Sequence, residues 1–209
     1  MLKLLHVYQN KFIWGDLLKT FNIIPLLIVL IIVLKIINSR LDTEQSKLRN
    51  EFAKEKLKYG LASRYSLSQL PNNQFIDFCN EFLIENDYKN IKLISEKLEG
   101  GITFTADKGK TLNIYIHCYK AINEENSNTN DNYTHVGRPA LQKFVGAMVE
   151  DNIYNALVIT NGNISGEAKE YVENLPQIYN MELIDGINFS KACWDIRKNN
   201  IRKEFLQNS

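Results

Sequence analysis

The chain has 209 residues, with 25 Lys and Arg against 24 Asp and Glu, a length that holds one ordinary domain and an additional segment. The charge is uneven: residues 1–60 carry ten basic and five acidic side chains, net +5, and residues 61–209 carry fifteen and nineteen, net −4. That excludes a protein that coats nucleic acid through overall positive charge, so any such contact must come from a local patch. The three cysteines, Cys79, Cys118 and Cys193, are too far apart for a zinc-ligand pair or a disulfide framework, and read as reduced core thiols in the cytoplasm.

Residues 1–20 are a short mixed segment. Residues 21–37, FNIIPLLIVLIIVLKII, are interrupted only by Asn22, Pro25 and Lys35. Extended back to Trp14, the run reaches the roughly 17–25 residues needed to cross a hydrocarbon core, with Trp14 and Lys35 suited to the two interfaces. No small-residue cleavage site follows, which argues against a signal peptide. The absence of a polar face argues against a surface helix. Residues 21–37 therefore predict a single transmembrane helix, with membrane contact over residues 14–37. Lys35, Arg40, Lys47, Arg49 and Lys54 follow it, placing the C-terminal part on the cytoplasmic side.

Residues 38–66 read as a charged stalk helix and linker. Leu41, Leu48, Phe52 and Leu57 are spaced for self-association, Gly60 is suited to end the helix, and Ser63, Ser66 and Ser68 form a connector. The globular domain is expected over 67–200, with a tail at 201–209.

Inside the domain, Phe75, Phe78, Cys79, Phe82 and Leu83 mark an amphipathic helix. A strand is predicted over Tyr88 to Lys97. EGGITFTADKGKTLNIYIHCYK, residues 99–120, then alternates about a DKGK turn as a β-hairpin, which brings Thr103 toward His117 and Tyr119. Residues 123–135 are a polar, asparagine-rich loop. A second helix carries Leu141, Phe144, Val145, Met148 and Val149 on one stripe, with Pro139 near its first turn. NALVITNG predicts a buried strand, SGEAKEYVENL a helix capped by Ser165, MELID an edge strand and INFSKACWDIRKNN the last helix. The order α-β-β-β-α-β-α-β-α implies an α/β fold with a mixed sheet flanked by helices.

Three segments, VGRPALQKFVGAMVEDN, LVITNGNISGEAKEYVENL and MELIDGINFSKA, resemble the C-terminal half of the Mrr-type (type IV) restriction endonuclease domain. NNQFIDFCNEFLIENDYKNI is similar to that family's opening helix. The resemblance covers about residues 67–196 and implies a restriction endonuclease-like fold with a PD-(D/E)xK core that cleaves DNA, often modified DNA. Such a core holds Mg²⁺ through two acids, or an acid and a Gln, and uses a nearby Lys to activate water.

This chain departs from the pattern at the positions that matter. The family's DGGID reads EGGIT, so its Asp falls on Thr103; its QxK reads HCY, so Gln falls on His117 and Lys on Tyr119. The acid of the first helix falls on Ile76, beside Asp77. Threonine brings no negative charge and tyrosine no ammonium. Lys120, Glu99 and Asp107 are the nearest candidates to compensate, but a one-residue step reverses the strand face and four residues span ~13 Å. The resemblance therefore implies Mg²⁺ as a cofactor only if a site is retained, and no other cofactor. Arg138 and Lys143, with His135, are candidates for phosphate contact at a helix start. The basic tail, Arg197, Lys198, Arg202 and Lys203, suits DNA, lipid headgroups or simply its own helix end. Two functions follow: a membrane-anchored nuclease acting on DNA at the cytoplasmic face, or an inactive DNA- or partner-binding module there.

Overall fold

A computed structural model describes the backbone of residues 2–59, 63–96, 101–123 and 133–207, with side chains from residue 25 onward except at 58, 59 and 207. Gly60 and Glu99 lie outside the described residues. The chain forms two units, residues 1–48 and 49–209.

The first unit belongs to one long helix, α1 (Leu2–Tyr59). From Leu26 to Ile37 every apolar side chain is open, between 44% and 70% exposed, on all sides of the helix. Among the described residues no helix is long and apolar enough to cross a membrane. The described run covers ~18 Å at 1.5 Å per residue, against a hydrocarbon thickness of ~30 Å. The rest of the expected span, Phe21 to Ile24, has side chains outside the described set.

The second unit begins inside the stretch expected as a stalk. Ala53 and Leu57 are buried, and Leu57 joins the domain core, whereas Leu41, Leu48 and Phe52 remain open. The serine-rich connector is a short helix rather than a linker: α2 (Arg64–Ser68) starts where Ser63 Oγ accepts the Ser66 N–H at 3.1 Å. The elements that follow are α3 (Asn72–Glu85), β1 (Tyr88–Leu93), β2 (Phe104–Lys108), β3 (Thr111–Tyr119), β4 (His135–Val136), α4 (Arg138–Glu150), β5 (Asn155–Thr160), β6 (Asn163–Ile164), α5 (Gly166–Glu173), β7 (Asn180–Ile184) and α6 (Gly186–Gln207). His135, expected in a loop, pairs with Asn163 in the two-residue β4–β6 ladder.

The main sheet runs β1-β2-β3-β5-β7. β1–β2–β3 is an antiparallel meander and β3–β5–β7 is parallel. This is the mixed sheet that the element order requires, since hairpin connections give antiparallel neighbours and helical crossovers give parallel ones. Gly109, at φ +60°, makes the tight turn between β2 and β3, a conformation that costs any residue with a Cβ.

The two faces of the sheet carry separate cores. On one, Phe104, Ile116, Cys118, Leu157 and Ile159 meet α3 and α6, with Phe189 edge-on to Phe78 and Phe82 at 5.9 and 4.8 Å. On the other, Ala156 and Val158 meet Leu141, Phe144, Val145 and Met148 of α4. Val149, expected on that stripe, is 53% exposed although Met148 beside it is fully buried, because at 100° per residue it lies about 90° from the mean direction of Leu141, Phe144, Val145 and Met148. All three cysteines, distant in sequence, meet in the first core as free buried thiols. Burial pushes the Cys79 thiol well up, helped by its hydrogen bond with Cys118, and raises Cys193 too, so these are inert packing groups.

A candidate catalytic frame on the central hairpin

β3 is flanked by β2 on one side and β5 on the other, so its side chains alternate between the two cores. Ile114, Ile116 and Cys118 belong to the α3/α6 core, and Tyr115 and Tyr119 pack against the α4 core. His117 lies with the latter, its ring 5.6 Å from Phe144 and 6.3 Å from Tyr119. The pairing Phe104↔Ile116 and Thr105↔Tyr115, continued by one step, sets Thr103 across from His117. The hairpin thus brings together the three positions expected to meet.

Thr103 is completely buried and every polar group on it is engaged. Its N–H donates to Ile116 O at 2.8 Å and its carbonyl accepts from Ile94 N at 2.9 Å. Its Oγ1 accepts the Cys118 N–H at 3.0 Å. The hydroxyl therefore substitutes for a ladder partner at the end of β2, satisfying a buried donor that would otherwise be orphaned.

His117 is equally buried, yet neither ring nitrogen makes a hydrogen bond of good geometry. Burial lowers its pKa to about 4, and the Gly101 backbone nearby opposes this only in part. The imidazole is neutral at physiological pH.

Of the candidate compensators, Glu99 lies outside the described residues, and Asp107 and Lys120 are the two that are described. Asp107 caps the far end of the hairpin, accepting from Asn90 Nδ2 at 2.7 Å and from the Asn113 N–H at 2.9 Å. Asn90 and Asn113 have φ of 52° and 54°, a region asparagine tolerates better than most residues. The Asn90 and then the Asn113 hydrogen bonds hold the Asp107 carboxyl below its ordinary pKa, marking it as a clamp for two irregular strand positions. Lys120 lies just past β3, one residue out of phase with His117 and Tyr119, and partial burial lowers its pKa. Asp77 faces Arg49 at 3.9 Å, and burial raises its pKa, opposed by Arg49 and assisted by Glu96. Ile76, expected at the position of the family's first acid, is in the core.

Beyond β3 the chain is held by a residue that gave no signal in the sequence. Asn161, wholly buried, accepts the Ala121 N–H at 2.7 Å and donates to Ala121 O at 3.2 Å. Its own carbonyl accepts from Arg64 Nε at 3.0 Å. Asn161→Leu strands both main-chain groups of Ala121, and a loss of roughly 2–4 kcal/mol in unfolding free energy is expected, read from urea denaturation. A loss within error of zero means that water or a shifted backbone replaces the clamp.

At the start of α4, the Arg138 guanidinium lies 5.5 Å from the Tyr171 ring centroid, and Lys143 is exposed. His135 is exposed on β4. Arg138 and His135 lie at the edge of the second core, away from the α3/α6 face.

A family model described as a restriction endonuclease catalytic domain of the Mrr type matches residues 67–193. The chain belongs to the Mrr-type restriction endonuclease family. Comparison with curated proteins finds no match. The matched residues run from the end of α2 into the first part of α6, leaving α1 and the rest of α6 outside the match.

The Mg²⁺ that this family implies does not fit the residues present. Mg²⁺ requires hard oxygen donors, usually including carboxylates. At the positions expected to carry the family's acid, Gln and Lys stand a hydroxyl already committed to Cys118, a neutral imidazole walled in by Phe144, and a phenol. Among the described residues no three His, Cys, Asp or Glu side chains come together as a metal site.

Proposed function

We propose that this restriction endonuclease domain binds DNA at the cytoplasmic face of a membrane without hydrolysing it, held there by α1. The observation that carries the reading is the state of Thr103. Its side chain is sealed inside the protein and spent on a main-chain N–H, where a nuclease of this family needs a carboxylate open to metal and phosphate. With a neutral, buried His117 beside it, the frame supplies neither the metal-binding charge nor the ammonium that in-line hydrolysis demands.

Support for membrane attachment comes from the open apolar surface of Leu26–Ile37, which water would not tolerate on a free helix. The preceding residues back to Trp14 extend it to spanning length. DNA contact would rest on Arg138 and Lys143 as phosphate-positioning groups rather than base readers, since the domain as a whole is acidic.

The test uses the full chain in detergent, mixed with supercoiled DNA, plain and methylated, in Mg²⁺ or Mn²⁺. The expected result is retardation on a gel that weakens with salt, with no nicked or linear product. Arg138→Ala/Lys143→Ala is expected to reduce retardation about tenfold. Cleavage that His117→Ala abolishes overturns the non-hydrolytic reading, and absence of any retardation overturns DNA as the partner.

A further inference from the structure

α6 is apolar on two opposite sides. Phe189, Ala192, Cys193 and Ile196 face the core. Ile187, Trp194, Ile201 and Phe205 are 64%, 53%, 44% and 78% exposed. At 100° per residue these four fall within about 40° of one another, on the side away from Ile196. Single exposed apolar residues need no explanation, whereas a stripe of four at spacings of seven, seven and four does.

The charges nearest the stripe are mainly positive, with Asp195 and Glu204 one step further out on either side. Lys191, Lys198 and Arg202 border it along one edge, and on the other the Arg197 guanidinium lies 4.9 Å from the Trp194 ring centroid. Trp194, Asp195, Arg197, Lys198 and Ile201 line a shallow groove of about 410 Å³. Residues 186–207 hold five cations and two carboxylates, whereas residues 61–185 hold ten and seventeen. Within residues 61–207 the net positive charge thus falls on the helix that exposes its apolar stripe, and most of that stripe lies past the matched residues 67–193.

We propose that the outer face of α6 docks on an anionic lipid bilayer, with Trp194, Ile201 and Phe205 in the acyl boundary and the flanking cations among the headgroups. This rests on the reading of α1 as a membrane anchor, which supplies the bilayer in the same molecule. Two other occupants fit less well. A second copy pairing along the stripe would bring Lys191, Lys198 and Arg202 against like charges. DNA would use the cations and leave four apolar side chains with nothing to contact.

The chain has two tryptophans, one in each part, so the two readings can be probed separately. The full chain carrying Trp14→Phe is reconstituted into vesicles with brominated acyl chains, either all phosphatidylcholine or containing phosphatidylserine. Trp194 emission is expected to shift to the blue and to be quenched at least twofold more in the anionic vesicles. Lys198→Glu/Arg202→Glu should abolish that difference. In the companion variant Trp194→Phe, Trp14 is expected to be quenched in both lipids. Trp194 unquenched in anionic vesicles while Trp14 is quenched overturns the docking and leaves the anchor intact; Trp14 unquenched overturns the anchor. Equal quenching of Trp194 in the two lipids overturns the role of anionic headgroups. A blue shift without bromine quenching overturns the lipid proposal in favour of a second copy.

Discussion

Thr103→Asp, which puts an acid where the family resemblance expects one, is expected to destabilise the protein by roughly 3–5 kcal/mol at pH 8. The carboxylate can accept the Cys118 N–H as the hydroxyl does, but it brings a charge into a site with no exposure. Burial raises the pKa of such a group above the ~3.9 of an unfolded Asp. Over that interval the folded state binds a proton that the unfolded state has shed, so stability falls as pH rises above ~4. Urea unfolding at pH 4.5 and pH 8 reads this directly. The loss should be mostly confined to the higher pH, and excess Mg²⁺ should not restore it, because His117 offers no second oxygen donor. An equal loss at both pH values would make the effect steric. Full recovery in Mg²⁺ would show that the frame still holds a metal.

His117→Phe is expected to act in the opposite pH direction. The histidine titrates at about 4 when folded and near 6.5 when unfolded. Its folded pKa is depressed, so the unfolded state binds the extra proton: stability is complete above pH ~6.5 and is lost as pH falls toward 4, by roughly 3 kcal/mol in all. Phenylalanine keeps a ring against Phe144 and Tyr119 and removes two nitrogens that make no good hydrogen bond. Replacing such a group by an apolar one of similar shape is close to neutral. The variant should lie within about 1 kcal/mol of wild type at pH 7.5 and gain about 2 kcal/mol relative to it by pH 5. Taking the difference cancels other titrating groups such as Asp77, whose raised pKa contributes to both proteins. A difference that stays flat from pH 7.5 to 5 would mean that His117 is protonated in the fold or open to water.

The two predictions have a common structural source. In a working site of this class, a metal ion and a lysine compensate the negative charge of the carboxylate. Here the same strand geometry has been closed over with neutral groups, and the helix α4 seals it with Phe144. Asp107 and Lys120 show why nearby charge in the sequence was a poor guide. One is turned to a clamp at the other end of the hairpin, and the other lies past the strand and out of phase.

Much of this was legible without coordinates. The stripe Phe75–Phe78–Cys79–Phe82–Leu83 dictates α3, and the alternation through Leu112–Tyr119 dictates β3. The resemblance of EGGIT and HCY to the family's motifs leads to the expectation that Thr103, His117 and Tyr119 stand where the family has its acid, Gln and Lys. Period and turn chemistry are properties of a few adjacent residues, set by backbone sterics, and so they survive in the sequence. The tertiary structure alone decided that Cys79, Cys118 and Cys193 share one core, that Asn161 holds Ala121, and that the end of α1 packs on the domain. It also decided that α6 has a second, outward apolar face and that Thr103 and His117 are sealed. Each of those depends on which distant element covers a residue, and burial by a helix from elsewhere in the chain leaves no mark on local spacing.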